Sequence, residues 1–227
     1  MDSRSEYYSA ASRLTYVAHF FGLTALILIL IWLLHYRGGL NYESNNPDLV
    51  FNVHPFLMFF SLIFLGGEAM MAYKTVRATH PVKKSVHMLV HLLAIVLAIV
   101  GICAAFKYHD MIYKEDVYSL HSWIGITTIC MYCLQWVFGF FTFMFPRASG
   151  PTRNKFLPWH LCGGRALLYM AICAALTGLL EKSTFLQLSP HQHESRLLNF
   201  TGLAILFFGI FVDLSVALGY YTLYTVY

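Results

Sequence analysis

The sequence predicts an all-α, polytopic membrane protein of six transmembrane helices, and three observations lead there. Of 227 residues, 58% are hydrophobic and only 11% charged, about half the charge of an ordinary soluble domain. Six apolar runs supply the roughly 20 residues that a helix needs to cross a hydrocarbon layer about 30 Å thick. The connections between them are short, so the whole of 1–227 reads as one transmembrane domain with no room for a soluble module.

The first run, 14–35, is longer than a signal-peptide core and lacks an A-x-A-like cleavage site, so a retained helix is expected. Its His19 reads as a hydrogen-bonded packing residue. The second, 50–73, opens with His54, contains Glu68 and ends at Lys74. The third, 86–107, opens with His87, and His91 follows one turn later on the same face. The fourth, 120–142, opens with His121 and holds Cys130 and Cys133. A CxxC inside lipid without a second pair reads as buried thiols rather than a metal or redox site. The fifth, 158–180, opens with His160, with Arg165 five residues on, and the sixth, 197–219, contains Asp213. All five cysteines fall inside spans, so no disulfide framework is expected and the redox compartment stays open.

Charge orients the bundle. The N-terminus, loop 74–85, loop 143–157 and the C-terminus share one side. That side carries nine basic residues, Arg4, Arg13, Lys74, Arg77, Lys83, Lys84, Arg147, Arg153 and Lys155, against Asp2 and Glu6. The other side carries five, Arg37, Lys107, Lys114, Lys182 and Arg196, against seven acids, Glu43, Asp48, Asp110, Glu115, Asp116, Glu181 and Glu194. Lys and Arg accumulate in short cytosolic loops, so both termini are expected in the cytosol. The basic residues are split between membrane loops with no recognition motif, so no nucleic-acid partner is expected; the surrounding partner is lipid.

His54, His87, His121 and His160 each open a span, and successive spans alternate in direction. His54 and His121 therefore fall at the non-cytosolic face, His87 and His160 at the cytosolic face. Each pair sets two imidazoles on facing helices near a membrane surface, the arrangement that six-coordinate bis-histidine haem iron needs. With both axial positions filled no site is open to oxygen, which suits electron transfer, and the irons are expected roughly 20 Å apart. A lone histidine near a helix end is more often an interfacial or packing residue. Four at one depth on consecutive helices, where ionisable groups are costly, favour ligation.

At these residues the chain resembles the cytochrome b561 family: HYRGGL at 35–40, FNVHP at 51–55, GGEAM at 66–70, YSLHSW at 118–123, LPWH at 157–160 and EKSTF at 181–185. The resemblance implies four central helices binding two haem b groups, His54 with His121 and His87 with His160, the first and last helices flanking them. It also implies a transmembrane oxidoreductase in which cytosolic ascorbate donates an electron and monodehydroascorbate or a ferric chelate receives it. No G-x-G-x-x-G or Walker-type loop is present, so the reductant is expected to be external.

Ascorbate is an anion, so its docking surface is expected to be basic. Lys74, Lys84 and Arg153 match basic positions of the family's cytosolic ascorbate site, and Lys83 stands beside them, with a simple membrane-anchor role as the alternative for all four. His80 replaces a lysine frequent in relatives, which predicts weaker or more pH-dependent docking, since histidines titrate near neutrality. On the far side His109 matches a family histidine at the acceptor site, with Phe106, Tyr118 and Phe185 as neighbours. Asp116, where relatives often have asparagine, together with Asp110 and Glu115 predicts an acidic mouth that disfavours an anionic acceptor.

Glu68, Arg165 and Asp213 need partners or nearby water within a bilayer. Arg165 is expected to meet a haem propionate in preference to Glu68. His87 is preferred to His91 as ligand because His91 lies deeper. The aromatic residues read as lipid-facing belt and core. The rival function is a histidine-lined metal transporter or channel, but such sites cluster near the midplane, often with broken helices. No sorting motif distinguishes an endomembrane from the plasma membrane, and a homodimer is left open.

Overall fold

The computed structural model describes residues 3–224, with side chains described over 9–219. Asp2 and the side chains of Arg4 and Glu6, part of the charge balance, lie outside the described residues. Among the described residues six helices are long and apolar enough to cross a membrane: α1 Ser9–Tyr36, α2 Pro47–Thr75, α3 His80–Ile112, α4 Leu120–Met144, α5 Gly150–Phe185 and α6 His193–Gly219. The chain is a multi-pass integral membrane protein, and no strand occurs among the described residues. Helices are required there because lipid offers backbone N–H and C=O groups no partner.

Most helices outrun the apolar stretches that predict them. Hydropathy marks only the segment in lipid, whereas backbone hydrogen bonding continues until a cap or breaker stops it. The side chain of Asn46 accepts from the Asp48 N–H at 3.0 Å at the start of α2, and Ser119 and Ser122 form a reciprocal capping box at the start of α4. Pro47, Pro81 and Pro151 occupy first turns, where a missing N–H is harmless. Within α2, Pro55 is followed four residues later by a wider, π-helical stretch, Phe59–Leu65. Such bulges accommodate a lost or displaced hydrogen bond.

A long packing seam joins α1 to α6, which lie side by side and touch the other four helices chiefly through α6. In those four, α2 packs on α3 and α4 on α5. Small residues allow the approach. Phe208 of α6, fully buried, seats in a notch where a Cβ on Gly22 of α1 would stand 2.9 Å from its ring and one on Gly67 of α2 only 2.6 Å. Between helices in lipid such packing replaces the hydrophobic drive available in water.

At one end of the bundle the sequence motifs become a lock. Glu194 of α6 accepts from Trp32 Nε1 at 2.9 Å and from Arg37 Nη2 at 2.5 Å. Asn52 of α2 donates to the carbonyls of Arg37 and Gly39 at 3.0 and 2.7 Å. That turn needs its glycines, because Gly38 and Gly39 have φ of 79° and 110°. The lock fixes the first turns of α2 through Asn52, two residues before His54.

Candidate functional site

The four histidines meet as two pairs. His54 of α2 and His121 of α4 have ring centroids 6.0 Å apart and planes at 86°. His87 of α3 and His160 of α5 stand at 6.1 Å and 68°. Each pair lines its own cavity, and Leu62 of the π-helical stretch lines both.

Neighbouring backbone holds the rings. Nδ1 of His54 lies 2.9 Å from the Gly101 carbonyl, that of His87 2.8 Å from Ala69 and that of His121 2.8 Å from Ala174. A carbonyl only accepts, so in these three Nδ1–H donates and Nε2 keeps its lone pair. This is the tautomer and second bond that orient a metal-ligating histidine. His160 differs: the Gln135 amide nitrogen donates to its carbonyl at 2.7 Å and stands 3.1 Å from its Nδ1. Glycines make room, since a Cβ on Gly178 would lie 2.7 Å from His121 Cε1 and one on Gly139 2.9 Å from His160 Cε1.

These pairs fit bis-histidine ligation. An ion held about 2 Å from one nitrogen of each ring sets the centroids about 6 Å apart. His91 is engaged otherwise, with Nδ1 2.5 Å from the Tyr132 hydroxyl.

The second cavity, around His87 and His160, is strongly cationic. Lys74, Lys83, Lys84, Arg147 and Arg153 line it, and no carboxylate does among the described residues. Their head groups rest on neutral oxygens: Lys74 on the Ser215 carbonyl and hydroxyl, Lys84 on the Phe143 carbonyl, Lys83 on the Tyr73 carbonyl at 3.0 Å and Arg153 on the Ala148 carbonyl at 2.8 Å. An entering anion therefore meets cations that no acid neutralises. His80 lines the same mouth, its ring 5.8 Å from that of Tyr73.

The first cavity gathers His109, Phe106, Tyr118 and Phe185 at its mouth. His109 donates to Asp116 at 2.7 Å. Tyr118 and Ser119 each donate to Glu181 at 3.0 Å. Burial first, then the hydrogen bond and charge of Glu181, push the Tyr118 phenol up to about 12, so it stays a donor. The loop reaches this arrangement through Val117 at φ 51°, a conformation costly for a β-branched residue and frequent beside functional groups.

Two expectations need correction. Arg165 faces neither Glu68 nor a cavity: its Nη2 donates to Asp213 Oδ2 at 3.0 Å, its Nε to Oδ1, and Tyr169 adds a bond to Oδ2 at 3.2 Å. The guanidinium thus pairs with a carboxylate on α6, and Glu68 pairs with His19 at 2.8 Å. The acidic mouth is also overturned. Asp110, Glu115 and Asp116 do not line the first cavity, whose charged lining is Lys114, Lys182 and Glu181. Loop charges summed along the chain ignore which way each side chain turns.

Gln135, Gly139, Gly178, Arg147, Lys114 and Lys182 were not singled out from sequence. Lys182 lies within EKSTF, and Arg147 was counted only for orientation. The glycines become meaningful only when a ring from another helix arrives.

Residues 53–186 match the sequence profile of eukaryotic cytochrome b561. The chain is 44% identical over 208 residues to transmembrane ascorbate ferrireductase 1 of Arabidopsis thaliana, covering 90% of this chain and 87% of that one. It is 46% identical over 203 residues to the probable ascorbate-specific transmembrane electron transporter 1 of Oryza sativa subsp. japonica, covering 88% and 87%. It is 38% identical over 210 residues to the transmembrane ascorbate-dependent reductase CYB561 of Mus musculus, covering 91% and 80%.

Proposed function

The chain belongs to the cytochrome b561 family, and from that premise we propose that it carries single electrons across the membrane from cytosolic ascorbate to monodehydroascorbate or a ferric chelate on the other side. The observation that carries this reading is the pair of imidazole pairs, 6.0 and 6.1 Å between centroids, one in each cavity. His54 with His121 and His87 with His160 are the residues that would hold two haem b groups. Held by two histidines each, such groups would supply one-electron transfer.

The chain's own residues do the rest. Lys84, Arg147 and Arg153, with Lys83 and Lys74, attract the ascorbate anion to the second cavity. His80 lines the same mouth. Tyr118 and His109 present polar contacts to the acceptor at the first cavity, with Phe106 and Phe185 as apolar walls. The basic loops Lys74–Lys84 and Arg147–Lys155 put the ascorbate end in the cytosol by the excess of Lys and Arg there.

The test is the purified protein's spectrum followed by transport. Two b-type components are expected, and only the one at the second cavity is reduced directly by ascorbate. Ascorbate-loaded proteoliposomes are expected to reduce an external acceptor, and His87→Ala to abolish entry of electrons at the ascorbate side. A purified, folded protein without b-type absorption overturns the reading.

A further inference from the structure

Lys182 is the one lysine of the first cavity drawn inside the bundle. It is 8% exposed, and its Nζ makes no hydrogen bond or ion pair among the described residues. The ammonium lies over the Phe51 ring, 4.1 Å from its centroid, and 5.7 Å from that of Tyr108. Ring faces attract a cation, but an ammonium opening into a cavity within the bundle, away from bulk water, is favoured by an anion there. The nearby carboxylates are committed elsewhere: Glu181 to Tyr118 and Ser119, and Glu194 to Arg37 and Trp32. Asp48 is close enough to act electrostatically but makes no ion pair with it.

Its position in the fold points to the chemistry of a partner. Gly178, against whose backbone the His121 ring packs, lies four residues before Lys182. The two therefore share a face of α5, with Lys182 one turn, about 5.4 Å, nearer the helix end and the membrane surface. Phe51, beneath the ammonium, lies three residues before His54, with rings 6.0 Å apart. The charge thus stands just surface-ward of the His54–His121 pair. A haem is apolar except for its propionates, so these belong at that edge.

We propose that Lys182 is the counter-charge for a carboxylate of the group bound between His54 and His121, a haem propionate. The inference rests on the functional reading above. Lys114 cannot substitute, because its Nζ lies out at the mouth over Phe185 and Tyr118, 3.9 and 4.8 Å from their centroids.

The test is a redox titration of the full-length protein in nanodiscs, comparing wild type, Lys182→Gln and Lys182→Arg, with haem counted per polypeptide. Loss of a cation beside the carboxylate leaves uncompensated negative charge and favours the ferric state. Lys182→Gln is therefore expected to lower the reduction equilibrium of one haem about tenfold, roughly 59 mV for one electron, or to lose that haem. The other haem should be unchanged, and Lys182→Arg should retain both haems near wild-type potentials. Unchanged potentials and haem content in Lys182→Gln overturn the proposal, including the case where only the half-saturating concentration of an anionic acceptor rises. Equal haem loss in the Gln and Arg variants also overturns it, since packing rather than charge would then be responsible. A wild-type protein with no b-type components removes the functional reading itself, and this inference with it.

Discussion

Gly178 of α5 gives up its side-chain space to the imidazole of His121 on α4: a Cβ there would stand 2.7 Å from the ring's Cε1. The ring cannot retreat freely, because its Nδ1 is tied to the Ala174 carbonyl one turn away on the same helix. Gly178→Ala is therefore expected to displace His121. Bound haem should fall from about two to about one per chain, with the ascorbate-reducible component kept. Gly139→Ala, whose Cβ would press on His160, is expected to lose the other haem. A haemochrome assay with ascorbate and dithionite reduction separates the two, and unaltered stoichiometry in both variants contradicts the packing argument.

The Arg165–Asp213 pair joins α5 to α6 without touching either cavity. Asp213 is 10% exposed and Arg165 43% at the side chain. Arg165→Leu leaves a buried carboxylate unpaired. The expected loss is about 2–3 kcal/mol, below the figure for a fully buried pair because Tyr169 still donates to Asp213 Oδ2. Thermal unfolding in detergent should show a lower Tm with both haem potentials unchanged. Adding Asp213→Leu should restore much of the stability, and a potential shift in Arg165→Leu would reinstate a cofactor role for that residue.

At the second cavity, proposed above as the ascorbate mouth, charge without counter-charge is expected to set affinity. Arg147→Gln is expected to raise the half-saturating ascorbate concentration about threefold, and His80→Lys to lower it by a similar factor, each equivalent to ~0.6 kcal/mol of exposed ion pairing. Both differences should shrink as ionic strength rises through 0.15 M and beyond. Stopped-flow reduction at two salt concentrations reads this directly. Salt-independent rates in both variants would rule out electrostatic docking.

Lys114 stands at the mouth of the first cavity, over the rings of Phe185 and Tyr118. Lys114→Glu is expected to slow reduction of an anionic acceptor about three- to tenfold while sparing or speeding a cationic ferric complex, because encounter rates follow the local field. Proteoliposomes offered both acceptors give the ratio. An equal effect on the two acceptors would show that Lys114 acts by packing on Phe185 and Tyr118.

Sequence alone determined the six helices and the pairing of four histidines. Lipid forces every backbone polar group into a helix, and alternating helix direction then assigns each residue to a face. Helix ends were less legible: α3 begins at His80 rather than 86 because capping and proline chemistry, not hydropathy, sets where hydrogen bonding starts. Only the tertiary structure decided the partners of charges. Arg165 finds Asp213 across 48 residues, Glu68 finds His19 across 49, and Lys182 turns inward over Phe51. Spacing fixes the depth of a side chain in the membrane, but its partner depends on how neighbouring helices are rotated. That rotation is set by many small contacts, such as Phe208 against Gly22 and Gly67, that no local pattern announces.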